Sequence, residues 1–184
     1  MKKILIVLLT IICLSGCKIG IDKINNTPTK KIETYMNDYQ TLSEGVLDDL
    51  DVVIEKETTY TDKQKEEYRD IMKKHFKNLD YTIKDETVNG DTATVEVEIE
   101  VTDFYKALND KTSEDYKTEQ DFYNEEGEPN DEAYNNYRLD RLKNAKDTVK
   151  YTLYLSCQKD NEGNWEVNDL TDDQEQKILG MYKH

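Results

Sequence analysis

From Ala93 to Val101 the chain alternates without a fault. Ala93, Val95, Val97, Ile99 and Val101 are apolar, and Thr94, Glu96, Glu98 and Glu100 between them are polar. A period of two places successive side chains on opposite faces of a strand, so this segment must bury one face and wet the other. Such a strand cannot stand alone. It needs neighbours to pair its backbone and a second layer to cover its apolar side.

The neighbours are legible on either side. Leu79, Tyr81 and Ile83 alternate with Asp80, Thr82 and Lys84, and Asn89-Gly90 then supplies a type I′ hairpin signal. Val149, Tyr151, Leu153, Leu155 and Cys157 repeat the pattern against Lys150, Thr152, Tyr154, Ser156 and Gln158. The turn Asp160-Asn161-Glu162-Gly163 leads to a short strand with Trp165 and Val167. The lone Cys157 reads as a small core residue of its strand.

The covering layer shows helical spacing. Ile32, Met36, Tyr39, Leu42, Val46, Leu50 and Val53 form one stripe of a long helix from Lys30, with a kink or break expected at Gly45. Thr61-Asp62-Lys63-Gln64 is a capping box opening a second helix with Tyr68, Ile71, Met72, His75 and Phe76 on its apolar face. His75 there reads as a core or boundary histidine. Thr171-Asp172-Asp173-Gln174 can cap a closing helix carrying Ile178, Leu179 and Tyr182. The expected fold is α+β, with helices packed on one face of an antiparallel sheet of about four strands.

Between the second and third strands lie residues 104–147. A short helix can start at Phe104, residues 109–130 form an acidic, Tyr-rich excursion, and Asp131 to Lys146 returns to helical pattern. The 184 residues carry a net charge of −15 with 35% charged and 36% apolar side chains, which suits one domain with a modest core. An acidic surface repels phosphates, so nucleic acid is not an expected partner. Glu96, Glu98 and Glu100 could suggest a metal face. Carboxylates two residues apart on a strand stand about 7 Å apart, which is too far for one ion, and a solvated outer face is the better reading.

The amino terminus reads as an export signal. Lys2 and Lys3 precede eleven residues, Ile4 to Leu14, that are almost all apolar, too short a run to cross a bilayer as a helix of about 20 residues. Leu14-Ser15-Gly16-Cys17 resembles the lipobox of bacterial lipoproteins. That resemblance implies a signal peptide at 1–16, diacylglyceryl on the Cys17 sulfur, and cleavage before Cys17. Residues 17–29 then read as the lipidated Cys and a flexible tether, and 30–184 as the globular domain. The expected location is the extracytoplasmic face of the cell membrane, with acyl chains as the membrane contact.

Three segments carry a second resemblance. Phe76-Lys77-Asn78-Leu79-Asp80-Tyr81, Asn89-Gly90-Asp91-Thr92-Ala93-Thr94-Val95 and Asp160-Asn161-Glu162-Gly163-Asn164-Trp165 are similar to uncharacterised Firmicutes lipoproteins of the NTF2-like (cystatin-like) superfamily. The resemblance spans roughly residues 30–182 and implies a cone of helices against a curved sheet, open at one end. The excursion at 109–130 departs from the minimal pattern at the mouth of that cone.

Motifs with catalytic content are few. The sequence has no G-x-x-x-x-G-K-[ST], no G-x-G-x-x-G and no H-E-x-x-H, and only His75 and His184 could serve a histidine-based site. Asp121 to Asp131 does not match a calcium loop in phase with Gly127. No metal or cofactor is therefore expected. Asp85, Asp103 and Asp169 share the parity of the apolar residues in their strands, so each either points inward at a strand end or caps a turn in solvent. An inward Asp103 beside Tyr81, Tyr105 and Tyr151 would make a candidate pocket with a raised carboxyl pKa. Tyr116, Tyr123, Tyr134 and Tyr137 can contact a glycan or peptide, or pack the excursion down.

The expectation is a non-enzymatic binding module for a cell-surface protein or small ligand. The alternative is a small-molecule enzyme, isomerase- or hydrolase-like, using a pocket Asp with a Tyr. The address is directly testable. Mass spectrometry of the native protein should show loss of residues 1–16 and a fatty adduct on Cys17, and Cys17→Ala should accumulate as the uncleaved precursor.

Overall fold

The computed structural model describes residues 26–184. The signal peptide, Cys13, Cys17 and the tether as far as residue 25 lie outside the described residues. Helix α1 runs over Pro28–Thr41, α2 over Glu44–Glu55 and α3 over Asp62–Lys77. Strands β1 (Asp80–Asn89) and β2 (Thr92–Thr102) follow, then α4 (Phe104–Asn109), a 3₁₀ turn at Glu119–Phe122 and α5 (Asp131–Asn144). Strands β3 (Thr148–Lys159) and β4 (Trp165–Val167) and helix α6 (Asp172–Ile178) complete the fold.

The four strands form one antiparallel sheet in the order β1-β2-β3-β4. Val95, Val97 and Ile99 are wholly inaccessible to solvent, and Leu153, Leu155 and Cys157 of β3 join them in the core. Ile32, Met36, Met72 and Phe76 of the helices cover this face. The fold is α+β, as the alternation required.

The opposite face is wet. Glu98 lies 3.2 Å from Lys84 and 3.9 Å from Lys150, while Glu100 accepts from the Thr148 hydroxyl at 2.7 Å and lies 3.4 Å from Lys150. Lysines on the flanking strands thus offset the glutamate row. A register shift between Ile83 and Asp85 reverses the parity of β1 beyond the shift. Asp85, now opposite Glu96 on the wet face, is consequently exposed, whereas Val88 pairs with Ala93 on the core side and is exposed at the end of the strand.

The first helical stripe is broken, but at a different residue from the one expected. Leu42 takes a left-handed conformation (φ 56°), its N–H closing onto Asp38 and Tyr39 carbonyls, and Ser43 begins α2. Gly45 therefore lies in the first turn of α2 with open space around it. The capping box of α3 is present as the sequence wrote it, with Thr61 Oγ1 accepting from Gln64 N and Gln64 Oε1 from Thr61 N. Gln64 is itself buried, and its amide donates to Glu132 O at 2.9 Å and Asn136 Oδ1 at 2.8 Å, which ties α3 to α5.

The excursion is fastened to α5. Phe122 packs against Tyr134 and Tyr137, and the Tyr137 hydroxyl accepts from Lys117 N at 2.9 Å. Arg141 donates to Ala107 O at 2.7 Å and Ser113 Oγ at 3.2 Å. At the other end, residues 26–29 of the expected tether lie on the folded module. Asn26 donates to Gly163 O at 3.1 Å and accepts from Trp165 N at 2.8 Å, Thr27 caps α1 and Pro28 is buried.

The segment after α6 doubles back over the end of β2. Tyr105 N donates to Gly180 O at 2.8 Å, and His75 Nε2 lies 2.8 Å from Ile178 O. Gly180 has φ +68°, and a methyl group there would overlap the Thr102 carbonyl oxygen. Gly180→Ala should lower unfolding free energy by about 2–4 kcal/mol in urea titrations. Gly45→Ala, in open helical space, should raise it by about 0.5–1 kcal/mol.

Candidate functional site

Strand parity allowed three aspartates to point inward, and the structure keeps one. Asp85 is turned out by the β1 register shift, and Asp169 is exposed beyond β4. Asp103 follows Thr102, the last residue of β2, and is only 4% exposed. Its backbone N–H donates to Asp147 O at 2.8 Å, and its Oδ1 accepts from Lys106 N at 2.8 Å as the cap of α4. Its Oδ2 lies 3.2 Å from His184 Nε2.

Tyr151 and Tyr105 come to the same place. The Tyr151 hydroxyl lies 3.2 Å from both His184 Nδ1 and the Tyr182 carbonyl oxygen, and the Tyr105 ring is 5.7 Å from that of His184. Burial holds the Tyr151 phenol above its usual pKa, and the nearby Asp103 charge adds to the shift. Tyr81 does not join them, because its hydroxyl reaches Glu33 O on α1 at 3.3 Å. Three of the four expected pocket residues therefore meet, but the imidazole bridging them belongs to His184. No local pattern around His184 signals that bridge.

An open cleft of about 920 Å³ lies beside this cluster, between α3, α5 and the end of β2. Its buried lining is Ile71, His75, Phe104 and Leu142. Its wall carries Lys63, Lys74, Lys143 and Lys146 together with Glu66, Glu67, Asp70, Asp80 and Glu100. Lys143 is paired with Glu67 at 2.8 Å. The apolar floor and the two-signed rim suit an occupant with an apolar part flanked by charges.

His75 is locked in the floor. Its ring packs 4.7 Å from that of Phe104, and the Ile178 carbonyl fixes the proton on Nε2. The lone pair on Nδ1 is buried without a partner among the described residues. Burial pulls the imidazole down to a pKa of about 4, only partly offset by the Ile178 contact. Among the described residues, no group of three or more His, Cys, Asp or Glu is arranged to hold a metal ion.

Tyr134 and Tyr137 of the excursion cluster are engaged by Phe122, while Tyr123 stays 44% exposed. A second depression of about 700 Å³ lies between α4 and α5 and is bordered by Asp103, Lys106 and Asp147. Comparison with protein-family models, with curated proteins and with solved structures yields no significant match.

The histidine makes a stability prediction with a definite sign. His75 binds a proton more weakly folded than unfolded, so its contribution is complete above the unfolded pKa of 6.5 and is lost as pH falls toward 4. Between pH 7 and pH 5 the cost should be about 2 kcal/mol. Unfolding free energies from urea titrations of the native chain and of His75→Gln should diverge by that amount across the interval, the variant losing less.

Proposed function

We propose that this chain is a lipid-anchored, extracytoplasmic binding module without catalytic chemistry of its own, with an NTF2-like arrangement. The cleft between α3 and α5 takes a small ligand or a segment of a cell-surface protein. The observation that carries this reading is the cleft itself, with an apolar floor and an accessible rim of both charges.

Its position relative to the proposed anchor supports the same reading. Asn26 binds at the Gly163–Trp165 end of the sheet, whereas the cleft lies where β2 ends and β3 begins. The ten steps of β2 between these ends span roughly 33 Å. A chain held through Cys17 would present the cleft at the end remote from its tether, and its strongly negative net charge would repel an anionic lipid surface. The cleft would then face outward, toward soluble or wall-bound partners.

The enzymatic alternative requires Asp103 in a closed apolar pocket with a Tyr hydroxyl in hydrogen-bond reach. Its carboxylate instead accepts from Lys106 N–H and faces His184 rather than a Tyr hydroxyl.

A photoreactive residue placed at Lys74 on the cleft rim should crosslink a discrete partner on intact cells. The same residue at Tyr154, on the wet face of the sheet, should not. Equal labelling from both positions, or none from Lys74, would remove the cleft from the function.

A further inference from the structure

The two histidines of the chain both fasten its last stretch, the end of α6 and the segment that follows. His75 binds the Ile178 carbonyl from within the core, and His184 itself reaches back to Asp103 and Tyr151. The outer contact has the form of a ligand in a site. A planar ring is gripped through one nitrogen by a carboxylate and through the other by a phenol, with the Tyr105 ring beside it. Asp103 is buried and already oriented by its bond from Lys106 N, so it need not reorganise to receive a donor. The bound ring is much less sealed, since the His184 side chain is 40% exposed and its contacts to Asp103, Tyr151 and the Tyr182 carbonyl oxygen are all 3.2 Å.

We propose that Asp103, Tyr105 and Tyr151 form a recognition site for a planar cationic group, an imidazolium or guanidinium on a partner polypeptide, and that His184 occupies this site as an internal stand-in until the partner displaces it. The site is separate from the cleft under α3. Of its residues, Asp103 also borders the depression between α4 and α5, beside Lys106 and Asp147. A guanidinium can offer the carboxylate two in-plane N–H donors where an imidazolium offers one, and an aromatic wall suits either cation. The partner polypeptide is favoured over a free metabolite because the stand-in is itself a side chain on an irregular stretch of backbone.

The test uses the full chain and imidazole alone as the probe. At about pH 6 imidazole is largely cationic, and backbone amide shifts of Tyr105 and Lys106 report on the site. His184→Ala should bind imidazole with a Kd of about 10 mM, the weak affinity expected of so small a ligand. The unsubstituted chain, its site filled, should bind at least tenfold more weakly, by about the effective-concentration advantage of a tethered group. The double variant Asp103→Asn/His184→Ala should lose the binding seen in the single one.

Sodium chloride at matched ionic strength should reproduce none of these shifts. The idea is overturned if folded His184→Ala shows no saturable shifts, if the unsubstituted chain binds equally well, or if the double variant binds like the single one. Should the alanine variant lose its far-UV circular dichroism, His184→Gln carries the same comparison with the same outcomes.

Discussion

The inner face of β2 is the constraint from which the rest follows. Five apolar side chains in strict alternation, from Ala93 to Val101, have almost no exposure left in the folded chain. At roughly 25 cal/mol per Å², removing such a row from water contributes heavily to the stability of a domain this size. It is available only if β1 and β3 pair on both sides and helices close over the top. Ile32 and Met36 of α1, and Met72 and Phe76 of α3, supply that cover. The acidic outer face, with its lysine-offset glutamates, is the one the sheet leaves to water.

The end of β2 is where folding and site meet. Thr102, Asp103 and Phe104 leave the sheet in three different directions. The Thr102 backbone presses on Gly180, Asp103 caps α4 and meets His184, and Phe104 packs under His75 in the cleft. The buried histidine there is a stability liability at low pH, because its neutral form is the one the core accepts. The cleft and the Asp103 cluster therefore share a support, the Ile178–His184 segment.

Periodicity made the sheet and the capping boxes at Thr61 and Thr171 legible, because each depends on residues close in sequence, but it left three aspartates equivalent, of which Asp103 alone is buried. It misjudged the first helix. Leu42 fits the apolar stripe in either geometry, so spacing alone did not reveal that its backbone turns left-handed and that Ser43 starts a new helix. Parity also failed for Asp85, since one irregular residue in β1 exchanges the faces beyond it. Buried polar links such as Asn135 to Thr59, at 3.1 Å, had no sequence signature at all.

The order of residues along the chain was enough to set the alternation, the capping and the charge, and with them an α+β domain having one wet and one buried sheet face. These are local properties, fixed by a side chain and its neighbours within a turn or a hairpin. Packing in three dimensions was needed to bring His184 between Asp103 and Tyr151, to turn Tyr81 toward Glu33, and to leave a cleft between α3 and α5. The bonds among those residues join positions at least 33 apart, and contacts at such range arise from how layers pack rather than from any periodic signal along the chain.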